Sequence, residues 1–336
     1  MEDDELEITG DYDCDDQIED GYEEHIEPMS KTDESNTIAK YYVRNGAGSY
    51  GFVDDVKKQI PSGFYRPIYD SYNMKAFVEK KDVVHSKLYH LPTPIFDEVI
   101  NDITNFWKNE EVYRNFGEVY KMNILLYSKP GNGKTSLINL IAHKLIDEYD
   151  GIIFTINSIG DLMAYPKVMT RVRQIEPNRK VVTIIEDFDG LVSQDKNAET
   201  LLLQILDGND QYQNVVTIAT TNYIESLKPS FTDRPSRFRP YLYDSPNDEV
   251  RKFFFENKLK DSGIDIYNDA NSKMIERLVA ASNGFSFDYC KELVTMIFIM
   301  GYKEEEAIKR LKKASDTKGK YIIPDNAPSK IGFNEA

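Results

Sequence analysis

The stretch from Asn123 to Ile138, NILLYSKPGNGKTSLI, constrains this chain more than any other. A short apolar run (Ile124, Leu125, Leu126, Tyr127) reads as a strand and breaks into a turn rich in Gly and Pro. The turn ends in Gly133-Lys134-Thr135 and opens onto a helix-like pattern carrying Leu137, Ile138, Leu140 and Ile141. Strand, glycine loop and helix in that order make a cradle for phosphate. Glycines let backbone N–H groups approach phosphate oxygens, and a helix N-terminus adds unpaired donors and a positive dipole end. The candidate nucleotide-binding residues are Ser128, Lys129, Pro130, Gly131, Asn132, Gly133, Lys134, Thr135 and Ser136. Lys134 brings a full charge to the β/γ-phosphates, and the Thr135 hydroxyl suits Mg²⁺. Ser128 occupies the motif's first glycine position.

A phosphate loop binds; hydrolysis needs a carboxylate for the metal and a group that orients water. Val181 to Asp187 (VVTIIED) ends an apolar run in two consecutive acids, and Asp189 follows. Ligands of α/β sheets bind at the carboxyl ends of the strands, so Glu186 and Asp187 are candidate catalytic groups, Glu186 with Thr135 for Mg²⁺. Val216 to Asn222 (VTIATTN) ends likewise in polar residues, which makes Asn222 a candidate for the γ-phosphate or the attacking water. Asp233 to Phe238 (DRPSRF) sets Arg234 and Arg237 three residues apart, planar permanent charges suited to a transferring phosphoryl group.

The rest of the chain divides around these motifs. Residues 1–36 hold 16 of the 57 acids and one of the 41 basic residues, leaving 41 acidic and 40 basic residues in the remainder. The net charge of −16 therefore belongs to an acidic tail that reads as disordered, and the near-neutral body carries no basic excess pointing to nucleic acid. In residues 37–93, Gly46, Gly48 and Gly51 form a GxGxxG without a following βαβ unit and are read as a flexible turn. The aromatic spacing after it reads as short strands or an arm. From Pro94, Ile95, Phe96, Val99, Ile100, Ile103, Phe106 and Trp107 recur at helical spacing. Apolar runs at 152–156, 181–185, 215–220 and 241–243 alternate with helical patterns, the signature of parallel strands covered on both faces. Beyond residue 245 the patterns are helical alone. Cys14 and Cys290, like His25, His85, His90 and His143, form no disulfide or metal-ligand spacing. No apolar run is long enough for a membrane, and the acidic N-terminus is unlike a targeting peptide, so a soluble, cytoplasmic setting without membrane contact is expected.

The order of these motifs resembles an AAA-family ATPase of the AAA+ superfamily over roughly residues 94–312. SKPGNGKT resembles that family's GPPGTGKT, and IIEDFD its Walker B with the two acids in reversed order, as in the branch containing the mitochondrial Rieske-protein translocase. ATTN resembles sensor 1, RPSRF the arginine finger RPGRF with Arg239 in place of the usual aspartate, and Gly284-Phe285-Ser286-Phe287-Asp288 the GFSGAD that opens a lid helix. The resemblance implies an α/β fold: a P-loop parallel-sheet core (Rossmann-like, αβα) followed by a small all-helical lid. The divisions expected are a tail at 1–36, an arm or small domain at 37–93, the core at 94–244, the lid at 245–314 and a tail at 315–336. It further implies ATP and Mg²⁺ as cofactors, with Gly284 and Ser286 near the adenosine. A homo-oligomeric ring, usually a hexamer, would bring Arg234 and Arg237 to the neighbour's γ-phosphate, and a protein would be the substrate. The family's substrate-gripping loop maps to Leu162-Met163-Ala164-Tyr165, which lacks that loop's glycine and in which Leu162 and Met163 read equally well as core. The same core also serves nucleic-acid loaders and helicases, and Ser128 with the reversed acids leaves a weakly hydrolysing scaffold as a further alternative.

Overall fold

A computed structural model describes residues 41–45, 49–53, 59–73, 75–81, 88–194, 196–207 and 212–316. The acidic tail and the chain beyond residue 316 lie outside them, as do Gly46, Gly48, Cys14, His25 and His85. The chain divides into two units, Met1–Ile60 and Pro61–Ala336. In the first, β1 (Tyr41–Asn45) and β2 (Ser49–Val53) pair antiparallel, with Val43 opposite Gly51. Gly51 is therefore a strand residue and not part of a flexible turn.

The second unit is built on one sheet. Its strands are β3 (Gly63–Asp70), β4 (Lys75–Lys81), β5 (Lys121–Tyr127), β6 (Ile152–Ile156), β7 (Val181–Ile185), β8 (Val215–Thr221) and β9 (Arg239–Leu242), in the order β4-β3-β6-β7-β8-β5-β9. All pairs are parallel except β3 with β4. The strand-like spacing upstream of Pro94 thus extends the core sheet, which starts at Gly63. Every residue of β7 and β8 is buried, as expected of apolar strands covered by helices on both faces.

The alternation of side chains sorts the core. Ile124 and Leu126 of β5, Val182 and Ile184 of β7, and Val216 and Ile218 of β8 face one way. They pack with α1 (Pro94–Lys108) and α3 (Lys134–Tyr149). The short α2 (Glu110–Asn115) joins α1 to β5. The α1 stripe of Phe96, Val99, Ile100, Ile103, Phe106 and Trp107 is buried as its spacing predicts. On the opposite face lies α4 (Ile159–Ile175), where Tyr165 meets Phe154 edge-on and its hydroxyl lies 2.7 Å from Thr183 Oγ1. Leu162, Ala164 and Tyr165 are all inside, so the sequence expected to grip substrate packs into the core and only Met163 is exposed. After β7 come α5 (Phe188–Gln194) and α6 (Lys196–Asp207), and between β8 and β9 the single turn α7 (Pro229–Thr232).

Past β9 the described chain is helical throughout: α8 (Asp248–Asp261), α9 (Asp269–Ala281), α10 (Phe287–Val294), a π-helical turn at Thr295–Ile299, and α11 (Glu304–Asp316). Asn247 and Asn268 cap α8 and α9 by accepting from the N–H of Val250 and Ala270. Ser315 and Asp316, placed by sequence in a tail, are the end of α11. Among the described residues no helix is long and apolar enough to cross a membrane.

Candidate nucleotide site

The chain leaves β5 for α3, crosses to β6 three strands away, and returns through β7 to β8 beside β5. The strand order reverses there, and the carboxyl ends of β5, β7 and β8 converge on one crevice. Each carries one sequence motif into it.

From β5 comes the loop Ser128–Gly133. Gly131 and Gly133 have φ of 80° and 86°, a backbone region that side chains rarely adopt. Gly131 has a second constraint: a Cβ there would sit 2.9 Å from both Ser286 Oγ and Asp288 Oδ2, closer than real side chains approach. The loop is thus pressed against the start of α10, and the Asp288 N–H donates to the Gly131 carbonyl at 3.1 Å. Asn132, fully buried, ties the loop to Ser245 through its Nδ2 at 3.3 Å. Lys129, Pro130 and Ser136 are exposed around the mouth.

Lys134 opens α3 with its ammonium turned back under the loop. Nζ donates to Asn222 Oδ1 at 2.5 Å, Ser128 Oγ at 3.0 Å and the Ser128 carbonyl at 3.3 Å. Burial pushes its pKa down, while the carboxylates of Asp187, Asp189 and Glu186 pull it back up. From β7, Glu186 Oε2 accepts the Thr135 hydroxyl at 2.5 Å. Asp187 turns sharply away at φ 48°, its N–H donating to Thr220 Oγ1 at 3.2 Å and its carboxylate facing Asn222 Nδ2 at 3.4 Å. From β8, Thr221 Oγ1 donates to Asp189 Oδ1 at 2.7 Å. Asp189, Thr220 and Thr221 were not among the candidates. Their signal was present, since polar residues closing an otherwise apolar strand need partners.

Ser286 reaches the loop, whereas Gly284 (φ 79°) has open space around it and serves the turn that ends α9. Ser286 Oγ and Asn132 Oδ1 are buried without a hydrogen-bond partner, two polar atoms at the loop that a polar ligand can satisfy. Thr135 and Glu186 offer hard oxygens one hydrogen bond apart, a donor pair suited to Mg²⁺. Among the described residues no three His, Cys, Asp or Glu gather to hold a metal by themselves, so the pair fits a cation that keeps water and substrate oxygens.

The two arginines are elsewhere. Parallel pairing sets Arg239 opposite Ile124 and Leu242 opposite Tyr127, so β9 runs toward the phosphate end of the sheet. Arg234 and Arg237 precede β9 and so enter at the other end of the strands, where its first residue Arg239 is level with Ile124, about 13 Å along β5 from Ser128 at ~3.3 Å per residue. There Arg237 is nearly buried, its Nε 3.1 Å from Asp207 Oδ2 and its Nη1 donating to the Ser230 carbonyl. Arg234 stays 62% exposed, with Nη1 3.7 Å from the same carboxylate.

Residues 124–244 match the family model of the ATPase family associated with various cellular activities (AAA). A probable mitochondrial chaperone BCS1-A of Dictyostelium discoideum is 36% identical over 145 residues, which cover 39% of this chain and 33% of that protein. A probable mitochondrial chaperone bcs1 of Schizosaccharomyces pombe is 27% identical over 168 residues, covering 46% and 36%. An ATP-dependent zinc metalloprotease FtsH 2 of Sphaerobacter thermophilus is 28% identical over 174 residues, covering 47% and 26%. The match thus spans about a third or less of each relative's length. The loop, the acids and the polar strand end that converge on one crevice all fall within residues 124–244, the stretch that matches the AAA family model.

Proposed function

We propose that this chain binds ATP with Mg²⁺ and hydrolyses it within a head-to-tail ring, usually of six copies, that remodels a protein partner. The observation that carries this reading is the separation of Arg234 and Arg237 from their own phosphate loop, at opposite ends of the paired strands β5 and β9. An arginine that serves phosphoryl transfer from that position has to do so in a neighbouring copy.

Bound Mg²⁺–ATP supplies a reactive γ-phosphoryl group with part of its charge neutralised. The roles of the side chains follow from their placement. Lys134 exchanges acceptors in the empty loop for phosphate oxygens, and Thr135 with Glu186 holds the cation. Asp187, exposed at its sharp turn, orients the attacking water and takes its proton, and Asn222 positions that carboxylate. Ser286 and Asn132 keep unpaired polar atoms beside the loop that holds the nucleotide. Arg234, more mobile than the pinned Arg237, reaches across the interface to the developing charge. A protein substrate is favoured over nucleic acid by the near-neutral body and by similarity to proteins named as chaperones and a protease.

Light scattering with ADP and with ATP, followed by phosphate-release assays with an unfolded polypeptide or with DNA, tests the reading. The expected result is a closed oligomer whose turnover rises with polypeptide. A chain that stays monomeric with ATP while hydrolysing it at full rate overturns the trans arrangement, and stimulation by DNA that is steeply lost with salt overturns the protein substrate.

A further inference from the structure

We propose that Ser128 is a built-in competitor for phosphate: its hydroxyl completes a set of three acceptors around the Lys134 ammonium that an incoming nucleotide must displace. The inference rests on the ATP reading above. An ammonium has three N–H donors, and Lys134 finds three acceptors inside the loop, namely Ser128 Oγ, the Ser128 carbonyl and Asn222 Oδ1. Ser128 is 4% exposed and Lys134 8%, so these oxygens supply hydrogen bonds that an ammonium in the open would take from water.

The hydroxyl is oriented for this role. Ser128 Oγ donates its proton to the Lys129 carbonyl at 3.0 Å, which leaves its lone pairs to accept from Lys134. A glycine at this position, the residue the loop pattern expects, would keep the carbonyl and lose Oγ. The empty loop would then hold a buried ammonium with one donor unpaired, and phosphate would gain more by satisfying it. Ser128 therefore stabilises the empty site and weakens its hold on nucleotide, acting through Lys134 as a positioning residue.

The test titrates MgADP and MgATP calorimetrically into full-length wild type, Ser128→Ala, Ser128→Thr and Lys134→Ala, with steady-state hydrolysis and thermal melts alongside. Ser128→Ala should bind both nucleotides about three- to tenfold more tightly and lower KM in step, because a charge-assisted hydrogen bond no longer opposes binding. Ser128→Thr should restore wild-type affinity, and the nucleotide-free Ser128→Ala protein should melt lower than wild type. A role in packing alone would lower the melt and weaken binding together. Ser128→Ala that binds as wild type does, or more weakly, overturns the inference while leaving the ATP reading intact. Wild type that binds neither nucleotide overturns both.

Discussion

Lys134 and Asn222 meet at 2.5 Å, ammonium to amide oxygen, although 88 residues separate them in the chain. The same amide reaches Asp187 through its nitrogen at 3.4 Å, so one side chain just past β8 bridges the loop lysine and the acid that follows β7. On the proposed reading this amide joins binding to hydrolysis: phosphate that draws Lys134 away leaves the Asn222 oxygen unpaired beside Asp187.

Removing the lysine should abolish binding. Lys134→Ala leaves the loop's backbone donors but no full charge, and nucleotide affinity should fall by at least about a hundredfold, on the order of 3 kcal/mol. Calorimetric titration with MgADP measures this, and affinity within tenfold of wild type would contradict the assignment.

Separating the two acids should separate their roles. Asp187→Asn should keep nucleotide affinity and lower turnover by about 10²–10³, the usual range for loss of a general base. Glu186→Gln should instead raise the Mg²⁺ concentration needed for half-maximal turnover, because it weakens a cation oxygen without touching the water. Mg²⁺ titrations of phosphate release distinguish the two, and identical behaviour of both variants would refute the division.

Two inactive chains should rescue each other. Arg234→Ala should bind nucleotide normally and turn over about 10³-fold more slowly, in line with the usual worth of an arginine finger. Lys134→Ala has an intact arginine but no usable loop. Mixing them creates interfaces that pair a good loop with a good arginine, so phosphate release should reappear in mixtures. Silence at every ratio would argue that Arg234 does not act in trans.

The buried face of α4 should behave as core. Leu162→Ala should cost about 2–5 kcal/mol, as full truncation of a core leucine does. Tyr165→Phe should cost about 1–2 kcal/mol by leaving Thr183 without its 2.7 Å partner. Met163→Ala, on an exposed side chain, should cost little. Urea unfolding checks all three, and a destabilisation of Met163→Ala equal to that of Leu162→Ala would reverse the assignment of this helix.

High pH should loosen the lid. Burial pushes the Cys290 thiol up to about 12, so the folded protein retains that proton when the unfolded chain has lost its own. Stability from this group is complete below the unfolded thiol's pKa, near 8.5, and falls as pH rises from there toward 12. In a Cys14→Ser background a thiol reagent at pH 8 should label Cys290 only as fast as the protein opens, with denaturant accelerating it steeply. Rapid labelling of the folded protein would contradict the burial.

The site's local chemistry was legible in the sequence, because a phosphate loop, an acid pair and a polar strand end are each written in a few consecutive residues. The helices were legible for the same reason: Phe96 to Trp107 recurs with the period of one buried stripe. Tyr165 was not, since the resemblance maps it to a substrate-gripping loop, and only its packing on Phe154 and Thr183 of the sheet makes it core. Nor was the start of the sheet, because β3 pairs with β6 across some 90 residues and nothing local records that partner.

The sequence by itself determined what kind of ligand this protein could hold, since glycines, a lysine and carboxylates at fixed spacing carry their chemistry wherever the chain takes them. The tertiary structure alone decided which groups share a site. Crossovers of tens of residues set the strand order, and that order brings Lys134 to Asn222 and Thr135 to Glu186. It also turns β9 parallel to β5 and so brings Arg234 in at the end of the strands away from its own loop. Motifs are short-range and survive in a string of letters; strand order is long-range, and it gathered Lys134, Glu186, Asp187 and Asn222 while setting Arg234 and Arg237 apart from them.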